Sequence, residues 1–326
     1  MIDLGVIIPT LNCRSYLERH LQGLTKWLDL AQEVVVVDSF STDGTLEFIK
    51  SNLTHPNLNF LSTPRGLYSS WNFGIQQIRS KYVSIATCGD TMSREGIGML
   101  HKVIGELGCD VLISKPIFED SQSRRISAPK WPIDDVISSL AITGPRRLHS
   151  LEALVFLAFH VDLAFTGSCA SCLFRTETLQ RFPFPTDFGT VGDGVWCVRH
   201  AAEVSWGVVP ERISTFLMHP PTANPPGRYS GPIRMDAILE QSITRWLHSG
   251  CLTEENLEKI RWPELIAVVH EYSENKIAFD RCRKSAFPWV LSPMSWSKRA
   301  RRNSARSRLS RIKDALLRGV GGSVFH

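Results

Sequence analysis

The sequence predicts an α/β protein: a mostly parallel sheet with helices on its faces, followed by a helical, basic carboxyl-terminal extension. Three observations carry this expectation. Continuous β-branched runs such as VVVV at 34–37 are the kind seen in strands buried on both faces. Such runs alternate with apolar residues at helical spacing over the first hundred or so positions. Beyond residue 233 the strand-like runs stop and helical periodicity alone remains.

Taken in order, GVIIPT at 5–10 is the first strand, and Leu17, Leu21, Leu24 and Leu28 recur at the spacing of one helix face. EVVVVD at 33–38 is the second strand. In the following segment Ser41 or Thr42 is placed to cap a helix that turns Leu46 and Ile49 inward. NFLST at 59–63 reads as strand three, SSWNFGIQQIRS at 69–80 as a helix, and YVSIAT at 82–87 as strand four. A weaker helix over about 94–107, interrupted by glycines, leads to DVLISKPIF at 110–118, giving a doubly wound half-domain.

Residues 116–230 are less regular, with a helical stretch near 148–160, the small-residue run TGSCASCLF at 166–174 and a Pro-rich loop at 219–231. The expected division is therefore 1–230 as one α/β domain (1–115 for nucleotide, 116–230 for acceptor) and 231–326 as the helical extension. Helices are expected over 234–247, 253–279 and 307–318.

Composition bounds the function. At 326 residues and 43% apolar content the chain has material for a sizeable core. The start lacks a basic segment and its apolar run stops at Pro9, so a strand is expected there and no signal peptide. The longest lipid-like window, ALVFLAF at 153–159, is far short of the ~20 residues a spanning helix needs. Cys169 and Cys172 make a lone CxxC with no second pair at zinc spacing, so structural zinc is not expected. Residues 281–318 hold 12 of the 37 Lys and Arg but one of the 32 Asp and Glu, a local +11 against −6 elsewhere. An anionic partner is sought there. Leu309, Ile312, Leu316 and Leu317 form an apolar stripe in that basic helix, the pattern of a surface that lies on anionic lipid. No nucleic-acid partner is expected, because no aromatic stacking platform accompanies the charges.

In open parallel sheets ligands bind at the carboxyl ends of the strands, where Asp38 and Asp90 stand. A GxGxxG after strand one is missing, which argues against a dinucleotide dehydrogenase. VIIPTLN, VVVVDSFSTDGT, GLYSSWNFGI and CGDT, in this order and spacing, resemble the inverting glycosyltransferases of family 2, with the GT-A fold. The resemblance covers about residues 4–95 closely. It continues more loosely to about 220 through FTGSCASCLFRTETL and VGDGVWCVRHA.

The resemblance implies a nucleotide-diphospho-sugar donor, a divalent metal (Mg²⁺ or Mn²⁺) and a glycan or lipid-linked acceptor, in surface polysaccharide assembly. A cytoplasmic enzyme is expected, and the basic tail at 281–318 either brings it to the inner face of the cytoplasmic membrane or is a solvated end. Pro9 and Thr10 would line the base pocket, and Asp38 would accept hydrogen bonds from base or ribose; the alternative is a turn cap. Where the family often has a second acid, this chain has Ser39. Asp43 fits a helix start better than a ligand contact. Asn72 either contacts the sugar nucleotide or ties its helix to a loop, and Arg65 and Tyr68 are weaker candidates for phosphate or sugar contact.

Asp90 would hold the metal alone, since hard cations take oxygen ligands and the neighbouring Cys88 is soft; the alternative is a cap on the next helix. Gly89 would let the chain turn sharply and the diphosphate approach. His219 is a second candidate metal ligand. Asp193 matches the family's acid at the start of a late helix and is the expected catalytic base, with a capping role as the alternative and Asp187 as its stand-in. The rival outside enzymes is a non-catalytic sugar-nucleotide-binding or scaffold protein derived from this fold, made plausible by the thinned acids at Ser39 and Cys88.

Overall fold

The computed structural model describes residues 1–127, 130–218, 233–284 and 293–318. The chain folds as two compact units: Met1–Leu148 with Thr166–Trp196 and Val204–Tyr229, and His149–Phe165 with Cys197–Glu203 and Ser230–His326. Against the expected division at residue 230, two earlier segments, 149–165 and 197–203, fold with the carboxyl-terminal residues.

The first unit is built on one sheet, with nine strands among the described residues: β1 (Leu4–Thr10), β2 (Glu33–Asp38), β3 (Leu58–Ser62), β4 (Tyr82–Ile85), β5 (Thr91–Met92), β6 (Val111–Glu119), β7 (Arg146–Arg147), β8 (Cys172–Arg175) and β9 (Trp206–Leu217). The order is β3-β2-β1-β4-β8-β6-β9-β5, with β7 paired to β9. β3, β2, β1 and β4 are parallel neighbours, which brings the last residues of β1 and β2 side by side, Thr10 opposite Asp38. Every residue of β1 is buried, as a central strand covered on both faces requires.

The helices of this unit are α1 (Arg14–Leu24), α2 (Thr45–Asn52), α3 (Leu67–Ile75), α4 (Arg94–Leu107), α5 (Pro132–Ser139), α7 (Thr176–Arg181) and the start of α8 (Gly192–His200); α6 (Ser150–Phe159) lies in the other unit. Leu17, Leu21 and Leu24 of α1 share a core with Val6, Ile8, Val34 and Val36. The helical spacing of the one set and the strand alternation of the other put both on facing surfaces.

Three local expectations are corrected and one short strand is added. β8, a four-residue run, inserts antiparallel between β4 and β6, so those two strands are not neighbours. Such a run is too short to display a period. β5 pairs antiparallel with β9 and is likewise too short to announce itself. α3 spans Leu67–Ile75 and not 69–80. The start of α2 is stabilised by neither Ser41 nor Thr42: Gly44 precedes it at φ +82°, and the Asp43 carboxylate accepts from the Thr45 N–H (3.1 Å) and hydroxyl (2.6 Å).

The second unit adds α9 (Met235–Ser249), α10 (Glu254–Lys259), α11 (Trp262–Lys284) and α12 (Pro293–Arg318). Its centre is α6, buried from Leu151 to Phe159, and α11 and α12 both pack on it. The α12 stripe that the sequence offers to lipid is spent here: Leu309, Ile312 and Leu316 are buried and Leu317 half-buried, with Ala305 buried on the same helix. Even Lys313 is 3% exposed, its ammonium 4.4 Å from the centre of the Phe159 ring. Removing a buried leucine leaves a cavity that a packed helix pair refills only in part. Leu309→Ala is therefore expected to cost about 2–5 kcal/mol in urea unfolding, and Arg299→Ser, on the exposed face, less than about 0.5 kcal/mol. A neutral Leu309→Ala would mean that α12 is not packed as described.

Candidate functional site

The site is assembled at the carboxyl ends of β1, β2 and β4. Asp38 closes β2 and is 1% exposed. Its Oδ1 accepts from the Thr10 hydroxyl (2.8 Å) and the Ser41 hydroxyl (2.6 Å), and its Oδ2 from the Ser41 N–H (2.8 Å). The Ser41 oxygen in turn accepts from the Asn12 N–H (2.9 Å), while the Asn12 side-chain oxygen accepts from the Thr42 N–H (2.8 Å). Asp43 extends the latch, its Oδ2 accepting from the Arg14 N–H (3.0 Å). Burial alone would raise the Asp43 pKa, but the Thr45 and Arg14 donors outweigh it and hold the carboxyl below the usual range. Asp38 is thus both a turn anchor and a strand-end acid, with Pro9 and Thr10 buried beside it.

Asp90 ends the turn after β4. Gly89 before it sits at φ +98°, a conformation that a residue with a Cβ rarely adopts, which accounts for the glycine. Asp90 does not cap α4: Ser93 does, its hydroxyl accepting from the Gly96 N–H (2.9 Å). The Asp90 carboxylate is 7% exposed, and one oxygen accepts from the Thr87 hydroxyl (2.6 Å), the other from the Leu217 N–H at the end of β9 (2.9 Å). Burial pushes its pKa up to about 6, against the pull of those two bonds, of the Arg19 charge and of a hydrogen bond from Ser168. His20, fully buried in α1, donates from Nδ1 to the Asp90 carbonyl (3.0 Å), and burial lowers its own pKa to about 4, so it is neutral at pH 7.

As a metal ligand Asp90 passes a limited test. Its oxygens accept from Thr87, Leu217 and the Ser168 hydroxyl, and a carboxylate has about four acceptor positions; magnesium held with a diphosphate commonly uses only one or two carboxylates. No group of three or more His, Cys, Asp or Glu able to hold an ion occurs among the described residues, so the remaining shell falls to phosphate and water. His219 lies outside the described residues. Arg65 is exposed in the segment before α3.

Asp193 stands in the first turn of α8, half-buried. Desolvation raises its pKa, while the Tyr68 hydroxyl and the Gly194 N–H (2.8 Å) favour the charged form. Tyr68, 3% exposed on α3, also reaches the Thr190 carbonyl (3.0 Å). Burial and the nearby carboxylate push its own pKa far up, so it stays a neutral phenol. Gly192 makes this possible, since a Cβ there would come 2.5 Å from the Tyr68 ring and 2.6 Å from the Pro185 carbonyl.

Asn72 is a tie: its amide nitrogen donates to the Phe184 carbonyl (2.7 Å) and its oxygen accepts from the Phe184 N–H (2.9 Å). α3 thereby carries two of the contacts that hold the loop before Asp193. Asp187 is exposed on that loop. Sequence reading missed Thr87, His20 and the Leu217 N–H around Asp90, and ranked Tyr68 low. Thr87, three residues before the acid, was the one signal in view.

Residues 5–163, just under half of the chain, match the family described as Glycosyl transferase family 2. The chain is 28% identical over 110 residues to Glycosyltransferase GlyA of Streptococcus pneumoniae, a match covering 33% of this chain and 16% of that one. It is 29% identical over 120 residues to the poly(ribitol-phosphate) beta-N-acetylglucosaminyltransferase TarS of Staphylococcus aureus, covering 35% and 21%. The chain thus spans well under two thirds of these relatives. Among solved structures it is similar to S. aureus TarS 1-349 in complex with UDP-GlcNAc, with TM-score 0.54 and 16% identity over 98% of this chain and 92% of that one. It is also similar to the mannosyltransferase PcManGT from Pyrobaculum calidifontis in complex with GDP-Man and Mn²⁺, with TM-score 0.50 and 18% identity over 97% and 84%. At these identities the structural likeness establishes the GT-A fold.

A carboxyl that holds its proton more tightly folded than unfolded favours the fold in acid and loses that contribution as pH rises through the folded value. For Asp90 the window runs from its ordinary 3.8 to about 6. With chelator present, stability is therefore expected to fall across that range by an amount on the order of 2–3 kcal/mol. Asp90→Asn should flatten the slope in denaturation curves taken between pH 4 and 7.

Proposed function

We infer, from a chain whose residues 5–163 belong to glycosyl transferase family 2, that the protein moves a sugar from a nucleotide-diphospho-sugar to a hydroxyl of a glycan or lipid-linked acceptor, with inversion. The observation that supports the reading is Asp193: an acid of raised pKa at a helix start, held by Tyr68 and Gly194, which the motif resemblance pairs with the family's base although it lies beyond the matched residues 5–163. Asp193 takes the proton from the incoming hydroxyl, which requires it to be ionised, and a carboxylate of raised pKa is the stronger base. Asp38 holds the nucleoside by an oxygen still able to accept, Thr10 and Pro9 shape the wall beside it, and Gly89 leaves room for the diphosphate. Asn72 positions the loop that carries the base. Asp90 would hold a divalent ion, which when bound supplies positive charge to stabilise the departing diphosphate.

Surface polysaccharide assembly is the setting that the relatives suggest. A peripheral contact with anionic membrane rests on the exposed Arg299, Arg301 and Arg311 of α12, and no longer on an apolar stripe. No helix among the described residues is long and apolar enough to cross a membrane. The second reading, a non-catalytic sugar-nucleotide binder, draws on the internal use of both Asp90 oxygens.

Labelled donors separate the two readings, since a binder releases no nucleotide in the presence of Mn²⁺ or Mg²⁺. Asp193→Asn is expected to abolish transfer while donor affinity stays within about twofold, as removal of a group used only in the transition state should. Asp90→Ala should lose the metal-dependent rise in melting temperature on donor addition. Turnover should fall on the acid side at a pH above the ordinary carboxylate range, and Tyr68→Phe, by removing a bond to the ionised form, should push that limb further up. An Asp193→Asn variant with full activity removes the base assignment.

A further inference from the structure

Phe40 is the residue at this site that neither the fold nor the assigned roles explain. Its side chain is 62% exposed, whereas Asp38 and Ser39 immediately before it are 1% and 5% exposed. Its backbone sits at φ +55°, in the left-handed region where a bulky residue costs about 1–2 kcal/mol relative to an ordinary conformation. An exposed turn that needs such a conformation is ordinarily given glycine or asparagine. Here the chain places a phenylalanine in it and keeps the ring in water.

The turn cannot relax around it. On one side the Ser39 N–H donates to the Thr10 carbonyl (2.9 Å), and on the other both the N–H and the hydroxyl of Ser41 are held by Asp38. Asn12 fixes the next step through Ser41 and Thr42. Backbone strain persists where surrounding bonds over-determine it, and that is characteristic of ligand clamps. The backbone that bears the ring is thus held in a fixed frame, two residues beyond the acid assigned to the nucleoside, at the carboxyl end of a parallel strand.

We propose that Phe40 is the face on which the donor's nucleobase stacks, and that it sets affinity for the nucleoside part of the donor. The inference rests on the sugar-nucleotide reading above. A flat aromatic ring matches the π-face of any base, while Asp38 supplies the polar contact at its edge. Stacking also removes the exposed ring from water, so the bound state recovers the solvation cost that the free protein carries.

The test is isothermal titration of UDP, GDP and inorganic pyrophosphate, each with Mn²⁺, into the full chain and its Phe40→Ala, Phe40→Trp and Phe40→Gly variants. Phe40→Ala is expected to weaken the better-bound nucleotide about five- to a hundredfold, with pyrophosphate affinity unchanged and Phe40→Trp close to wild type. Phe40→Gly should melt at a higher temperature, because the strain is relieved, yet show the same loss of nucleotide affinity. A purely structural role would not separate those two readouts. Wild-type nucleotide affinity in Phe40→Ala, or an equal loss for pyrophosphate, overturns the proposal and leaves the sugar-nucleotide reading standing. A wild-type protein that binds neither nucleotide overturns both.

Discussion

The hydrogen bond from the Leu217 N–H to the Asp90 carboxylate is the constraint on which the site depends. It joins the turn after β4 to the end of β9, strands that are not neighbours in the sheet. A buried carboxylate is tolerated only when its oxygens are satisfied, and Thr87, Leu217 and Ser168 do this while His20 fixes the backbone beneath. The acid is consequently poised: satisfied enough to be buried, and desolvated enough that a nearby cation would change its ionisation.

The runs at 5–10 and 33–38 were legible because β1 and β2 are β-branched strands buried almost throughout, and β4, though only four residues long, showed through the longer apolar run at 82–87. β5 and β8 were not, since two or four residues carry no period and their strand character comes from the partners they meet. Among the site residues, Asp38, Gly89 and Asp90 stood out because strand ends are where open sheets gather ligands. Asn72 was left between two roles by its sequence, and the geometry gives it to Phe184. What remained hidden around Asp90 was a neutral histidine from α1 and a backbone N–H from β9, and a backbone donor has no spelling at all.

The basic tail shows the opposite failure. Its apolar stripe is real and helical, but a stripe does not say what covers it. α6 supplies the cover, as a segment apolar on every side that must be surrounded, and α12 takes one flank. The charges seen in the composition therefore decorate a structural helix of the second unit rather than an appended arm.

The double fastening of the loop before α8 has a consequence for how such a protein can diversify. Phe184 is pinned by Asn72 and Thr190 by Tyr68, so both ends of the intervening stretch are anchored to α3. Residues 185–189 between the pins can change length or chemistry while the register of α8 is preserved. A lineage could thus vary five positions of sequence while Asp193, just beyond the second pin, keeps its place beside Tyr68.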